Sequence, residues 1–211
     1  MKVVLISDTH GSSSDISLPI VPGDLIIHSG DFTRSRAYAE EDFYDFIEWF
    51  SSLDYKYKIL VSGNHDKFIY ENREAAKILL HTYGIIYLED SSVVLEGIKF
   101  YGSPWTPTFL NWYFMKPNNK LADIYEKIDI DTQVLITHGP AYGILDITHS
   151  NIHAGCNALR YRVENLPSLK YHAFGHIHES RGKKVINGVN YINASIKHVL
   201  LDHNFFQFEI H

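Results

Sequence analysis

Five short, near-continuous apolar runs punctuate an otherwise mixed chain: "KVVLIS", "DLIIHSG", "KILVSG", "QVLIT" and "YHAFG". Each is rich in β-branched residues, as expected of strands buried on both faces. Each runs at once into polar residues able to bind a metal or a phosphate: Asp8, Asp31, Asn64 with His65, His138 and His176. Ligands of α/β proteins gather at the carboxyl ends of strands. One such ending carries little weight, but five of five in one chain point to a shared site.

The segments between the runs predict the connections. "AYAEEDFYDFIEWFSSL" sets Phe43, Phe46, Ile47 and Phe50 at helical spacing, which predicts an amphipathic crossover helix. "ENREAAKILLHTYG" predicts another, with Gly84 as its C-terminal stop. Strand–helix–strand order implies a parallel core. Over 85–101 the pattern changes, and "IIYL", "SVVLEG" and "IKFYG" predict antiparallel pairs joined by short turns. "KKVI" and "VNYINAS" flank Asn187-Gly188, a hairpin signal, and "HVLLD" and "FFQFEI" flank a second turn at His203-Asn204. Two long segments, 102–119 with its aromatics and prolines and 139–157 with its glycines, read either as functional loops or as packing covers.

Composition narrows the function classes. A chain of 211 residues suits a single domain over 1–211. Its 45% hydrophobic and 21% charged residues are those of a globular protein. A net charge of −6 argues against long nucleic acid as a partner. It leaves room for small anionic substrates, because a bound metal can reverse the local sign. Cys156 is the only cysteine, so no intramolecular disulfide is possible and a reducing compartment is expected. The opening run 3–6 is too short for a signal-peptide core and no stretch approaches a membrane span. The expectation is a soluble, cytoplasmic protein with no membrane partner.

Collected together, the strand-end residues are Asp8, His10, Asp31, Asn64, His65, Asp66, His138, His176 and His178. They offer oxygen and nitrogen donors without a thiolate, which suits manganese, iron or zinc better than a structural cysteine–zinc site. They are too many for one ion and enough for two. Two metals about 3.5–4 Å apart are a known device for phosphoryl chemistry, in which a bridging water brought towards a pKa of about 7 serves as nucleophile.

The motifs Asp8-x-His10, Gly30-Asp31, Gly63-Asn64-His65-Asp66, His138-Gly139 and Gly175-His176-x-His178 resemble those of the calcineurin-like metallophosphoesterase superfamily. "GDFT", "GSPWTP", "LITHGP", "FGHIHE" and "YINAS" are similar to its metallophosphoesterase-domain-containing branch. The resemblance implies an α/β fold, a four-layer α-β-β-α sandwich of two mixed sheets flanked by helices. It implies that Asp8, His10, Asp31 and His178 hold one divalent or trivalent metal ion and Asp31, Asn64, His138 and His176 the other, with manganese the first choice and iron or zinc alternatives. His65 would be the catalytic residue that faces the leaving group, and Asn64, His65 and Asp66 would contact substrate. Asp66 would orient His65 or cap the following helix; the branch often carries Glu at this position. Some members of the branch replace the first histidine of the last motif with glycine; His176 is present here, which implies full occupancy and turnover.

The implied activity is a phosphodiesterase on small nucleotide-type substrates, cyclic nucleotides included. Alternatives are a phosphomonoesterase or phosphoprotein phosphatase using the same site, or a nucleotide-binding scaffold of low activity. Other residues have simpler readings. His28 lies within a strand and reads as core, while His81, His172, His198, His203 and His211 read as surface. His149 and His153 are loop residues with a lesser chance of a substrate role, and Cys156 reads as a packed small residue at a helix start. Arg34 and Arg36 read as solvated charge. Trp105, Trp112 and Tyr113 read as a hydrophobic cover ahead of a base-binding wall. Asn193-Ala194-Ser195 fits a glycosylation pattern but reads as strand-end polar groups.

Overall fold

A computed structural model describes residues 1–11, 23–196 and 205–210. The second hairpin turn expected at His203-Asn204, together with His198, His203 and His211, lies outside the described residues. All five apolar runs form strands: β1 (Lys2–Ile6), β2 (Leu25–His28), β3 (Tyr57–Leu60), β9 (Val134–Thr137) and β10 (Tyr171–Phe174). The first three are mutually parallel neighbours in one sheet, and β9 and β10 are parallel neighbours in the other.

The first sheet has the order β13-β1-β2-β3-β4, where β4 is Ile86–Tyr87 and β13 is Phe206–Glu209. The second has the order β11-β12-β10-β9-β6-β5, with β5 (Ser91–Leu95), β6 (Ile98–Ser103), β11 (Gly182–Ile186) and β12 (Val189–Asn193). Antiparallel edge strands make both sheets mixed: β13 against β1, β5 against β6 and β11 against β12. The β11–β12 hairpin turns at Asn187 and Gly188, with φ of 50° and 82°. Two positive φ angles in a two-residue loop are what a type I′ turn requires.

One expectation is corrected. "IIYL" does not pair antiparallel with its successors; Ile86 and Tyr87 pair parallel with Ile59 and Leu60 of β3. The physical reason is the preceding helix α3 (Arg73–Thr82), which carries the chain back along the sheet so that it re-enters in the same direction. Gly84, with φ of +71°, ends that helix as expected, its N–H reaching the His81 carbonyl at 3.0 Å.

Side-chain alternation along β1 shows why there are four layers. Val3 and Leu5 join Leu25, Ile27, Val134, Ile136, Ala173 and Ile192 in a core between the sheets. Val4 and Ile6 face the other way and pack with Phe43, Phe46, Ile47 and Phe50 of α1 (Ala39–Ser52) and Leu80 of α3. The second sheet repeats this on its outer face, where Leu135, Phe174 and Tyr191 share a cluster with residues of α4 (Asn118–Tyr125) and α5 (Asn157–Glu164). A short helix α2 (Lys67–Glu71) follows β3, and β7 (Thr106–Pro107) pairs with β8 (Met115–Lys116) inside the segment 102–119. Among the described residues no helix is long and apolar enough to cross a membrane.

His172 requires a second correction. It is fully buried, not a surface residue. It lies on the face of β10 shared with Phe174, its ring meets Phe174 and Tyr191, and its Nε2 pairs with Thr137 Oγ1 at 2.8 Å. A polar residue within a short apolar run takes the burial of the strand, and the Thr137 hydroxyl pairs one of its two ring nitrogens. His28 is buried in β2 as expected, with Nε2 3.1 Å from Thr9 Oγ1.

Candidate metal centre

The exits of β1, β2 and β3 from one sheet meet those of β9 and β10 from the other. The chain turns sharply at each exit, and four of the non-glycine residues with positive φ lie there: Asp8 (59°), His10 (44°), Asp31 (60°) and His176 (69°). Left-handed backbone at such residues costs about 1 kcal/mol or more each and concentrates at functional sites. The turns crowd together. A Cβ at Gly63 would collide with the Asp31 side chain and with His138, and one at Gly175 with the side chains of Ser7 and Asp8. Glycine at these two positions lets carboxylates and imidazoles approach the backbone closely.

Among the described residues, ligand-competent atoms gather in three overlapping groups: Asp8, His10 and His178; His10, Asp31 and His65; and Asp31, His138 and His176. His178 and His176 thus fall in different groups although only Ile177 separates them. In the first, His178 Nε2 is 3.2 Å from Asp8 Oδ1 and 3.4 Å from His10 Nε2. In the last, His138 Nε2 is 3.3 Å from Asp31 Oδ2 and 3.0 Å from Asn64 Oδ1. Asn64 thereby joins the set. Asp31 stands between the groups, 3.9 Å from His10 Nε2 and 4.0 Å from His65 Nε2 through Oδ2.

The second nitrogens of two histidines have partners that sequence could not supply. His10 Nδ1 is 3.1 Å from the Thr33 carbonyl and His138 Nδ1 is 2.9 Å from the Ser29 carbonyl. A carbonyl can only accept, so each Nδ1 carries the proton and donates it. Each Nε2 in its neutral form then turns a lone pair towards the carboxylates, the tautomer a metal ligand needs. Lone pairs of His10, His138, Asn64, Asp8 and Asp31 converge on the same space. Acceptors facing acceptors repel unless a cation lies between them, and an oxygen–nitrogen set without sulfur fits a hard or borderline metal.

The electrostatics show the same need. Burial would raise both carboxylates, yet bonding to His178 and the charge of His138 hold Asp8 below the usual carboxylate range. Asp31 is likewise held well below it against burial, first by His138. Burial pushes His138 down, but the adjacent Asp31, helped by Asp8, outweighs this and lifts it to about 9. Desolvation and the His138 charge push His176 down to about 4. Without a metal, then, the buried carboxylates keep a proton on His138 as a substitute cation.

Asp66 does not take the helix-capping role among those expected of it. Its side chain makes no cap to α2. It is fully buried and accepts from the backbone N–H groups of Asp31, Phe32, Thr33 and Gly63 at 3.0, 3.1, 3.2 and 2.7 Å. A carboxylate that accepts from four amides holds the loop that carries Asp31. Burial and the Asp31 charge push its pKa up to about 7, opposed by the Gly63 and Thr33 amides.

The two long segments are both structured. In 139–157, buried Asp146 accepts from His153 Nδ1 at 2.7 Å and from the Gly143 and Gly155 amides at 2.9 and 3.0 Å, so His153 locks its own loop. His149 is exposed, and its backbone N–H donates to Glu179 Oε1 at 2.6 Å. Cys156 is buried at the start of α5, as expected of a packed residue. In 102–119, Trp105 is a buried cover that donates to Asp90 Oδ2 at 2.7 Å, whereas Trp112 stacks on His65 at 4.2 Å between ring centroids. Arg34 pairs with Asp42 at 2.7 Å. Arg36 is not simply solvated, because its guanidinium lies 4.6 Å over the Trp112 ring.

Comparison with known proteins adds to this geometry. The family model described as calcineurin-like phosphoesterase matches residues 1–180. Metallophosphoesterase domain-containing protein 1 of Homo sapiens is 36% identical over 220 residues, an alignment covering 92% of this chain and 66% of that protein; the Mus musculus protein gives the same figures. The chain therefore spans somewhat less than two thirds of the length of these relatives. Among solved structures, a dimetal phosphatase from Danio rerio superposes with a TM-score of 0.58 at 12% identity, covering 92% of this chain and 86% of its own. A novel archaeal phosphodiesterase superposes with a TM-score of 0.51 at 19% identity, covering 92% and 82%. At these identities the structural likeness is one of fold.

Proposed function

This chain belongs to the calcineurin-like phosphoesterase family, and from that premise we propose that it is a two-metal phosphodiesterase acting on small nucleotide-type esters, cyclic nucleotides included. The observation that carries the reading is the convergence of acceptor atoms around Asp31, with His138 Nε2 at 3.3 Å and His10 Nε2 at 3.9 Å from the same carboxylate oxygen. In this reading Asp8, His10, Asp31 and His178 hold one metal, and Asp31, Asn64, His138 and His176 the other. Manganese is the first choice, with iron or zinc accepted by the same donors.

Bound metals of this kind polarise phosphoryl oxygens and bring the pKa of a bound water to near neutrality. The chain's own residues do the rest. The Thr33 and Ser29 carbonyls hold His10 and His138 in the ligand tautomer. Asp66 fixes the backbone of the Asp31 turn, and the His65 N–H donates to Asp31 Oδ1 at 2.7 Å. In this reading His65 stays outside the metal set, because each proposed metal has four donors without it. Its side chain is 21% exposed, so the ring can present an N–H to a departing oxygen.

The test is manganese-loaded protein with bis-p-nitrophenyl phosphate and p-nitrophenyl phosphate. Turnover of the diester is expected, with a loss of ~10³-fold or more in Asp31→Ala. No diester turnover by the loaded wild type would sink the proposal, and a faster monoester would favour the phosphomonoesterase reading. Elemental analysis tests the ligand division: His178→Ala should lose mainly the metal shared with Asp8 and His10, and His176→Ala mainly the other. Equal loss of both metals from either variant would count against it.

A further inference from the structure

Trp112 and Trp105 come from the same segment yet differ in kind. Trp105 is buried and hydrogen-bonded to Asp90. Trp112 is half-buried and lies on His65 with an interplanar angle of 28°, within the offset-stacked range. The His10 ring meets the same imidazole edge-on, at 4.7 Å and 82°. The bond from the His65 N–H to Asp31 fixes the backbone but not the side-chain rotamer. An edge from His10 and a face from Trp112 bear on the ring plane, alongside the Asp31 carboxylate 4.0 Å from His65 Nε2.

Trp112 is itself held in place. The Tyr113 N–H donates to the Asn64 carbonyl at 3.2 Å, tying the segment to the residue before His65. Arg36, from the turn that follows Asp31, lies 4.6 Å over the Trp112 ring and 5.5 Å over that of Tyr113, and donates to the Asn111 carbonyl. Guanidinium–indole contact is the strongest of the common cation–π pairings. The segment thus bridges the turn that carries Asp31 and the turn that carries His65.

The geometry points to Trp112 as a positioning residue for His65: its indole keeps the imidazole in the orientation that meets the leaving oxygen, and Arg36 keeps the indole there. This rests on the reading of His65 as the leaving-group residue. A catalytic group displaced by about 1 Å can lose ~10²-fold in rate. That loss matters most when the leaving group needs a proton or a hydrogen bond to depart.

The experiment compares methyl p-nitrophenyl phosphate with methyl phenyl phosphate, the poorer leaving group, in manganese-loaded wild type, His65→Ala, Trp112→Ala, Trp112→Phe and the double alanine variant. Trp112→Ala is expected to lower kcat about 10-fold or more on the phenyl ester and about 2-fold or less on the nitrophenyl ester. His65→Ala should show the same pattern more strongly, the double variant should be no worse than His65→Ala, and Trp112→Phe should recover most of the loss. Independently of activity, proton NMR of the metal-free protein should show His65 ring resonances shifted upfield by the indole and returned towards ordinary values in Trp112→Ala. Equal losses on both esters, a change in KM alone, additive losses in the double variant or unshifted His65 resonances would each overturn the inference. If His65→Ala shows no leaving-group dependence, the role of His65 falls and this inference with it. If His65→Ala shows that dependence and Trp112→Ala does not, only the inference falls.

Discussion

His138 and His172 are both fully sealed from solvent, one just past the end of β9 and the other within β10 alongside it. The strand-end edge and the strand interior treat the same side chain in opposite ways. Burial alone acts on His172 and pushes it down to about 3. Burial pushes His138 down too, but the Asp31 carboxylate at 3.3 Å and the charge of Asp8 carry it up to about 9. The interior strips a histidine of its proton, whereas the edge, where carboxylates turn inward from β1 and β2, demands a cation.

The largest break in this comparison is removal of the cation from the edge. His138→Ala leaves Asp31 buried without its strongest partner and takes a nearby positive charge from Asp8, and losing one side of a buried ion pair costs about 3–5 kcal/mol. Urea unfolding of the metal-free variant at pH 7 should show a loss of that size. In the interior, His172→Phe should cost about 1 kcal/mol or less at the same pH. Thr137 Oγ1 keeps its bond to the Gly139 carbonyl at 2.7 Å, and His172 Nδ1 has no hydrogen-bond partner among the described residues to lose. Similar losses at the two positions would show that the carboxylates do not distinguish them.

The next effect is the pH dependence of the metal-free edge. His138, lifted to about 9 in the folded chain, lies above the ordinary histidine value of 6.5. A raised pKa stabilises fully below pH 6.5, and the stability is lost as pH climbs through about 9. The loss is on the order of 3 kcal/mol across that window. Thermal or urea unfolding of the metal-free protein at pH 6.5 and 9 reads it together with a smaller decline from Asp66, whose raised carboxyl finishes ionising in the same window. The decline should vanish in Asp31→Asn, which removes the charge that holds the proton. A bound metal requires neutral His138, so metal uptake should release a proton and tighten with rising pH up to about 9. A metal affinity flat between pH 7 and 9 would contradict this account of the edge.

The comparison also explains what was legible in the sequence. Strand exits were readable because an apolar run ending in Asp or His leaves its polar group nowhere to go but the sheet edge, and the residues Asp8, Asp31, Asn64, His138 and His176 meet there. His172 was misread because it interrupts no pattern on the face it shares; its partner Thr137 is 35 residues away in the chain. The loop-holding part of Asp66 was not legible because its partners are backbone amides, which every sequence supplies. The carbonyls of Ser29 and Thr33 are silent for the same reason. The parallel entry of β4 follows from a crossover that local periodicity does not encode. Trp112 had a signal as one of a cluster of aromatics, but nothing in the chain separates it from Trp105, since only the fold decides which indole reaches His65.

The smallest effect belongs to the interior and has the opposite sign. Burial pushes His172 down to about 3 in the folded chain, against the ordinary 6.5. A depressed pKa leaves stability intact above pH 6.5 and removes it as pH falls towards 3, because the unfolded chain takes up the proton first. At pH 5 the loss is about 2 kcal/mol. His172→Phe abolishes that term while keeping an aromatic ring beside Phe174 and Tyr191. The variant should therefore gain on wild type as pH drops from 7.5 to 5, even if it starts slightly less stable. His28, buried in β2 and pushed down to about 3 by burial despite the Asp8 and Asp31 charges, remains in both proteins and adds the same acid sensitivity to each. The measurable quantity is thus the difference between the two unfolding free energies at each pH. A difference that does not move with pH would mean that His172 keeps a solvent-like pKa, and the contrast with His138 would lose its interior half.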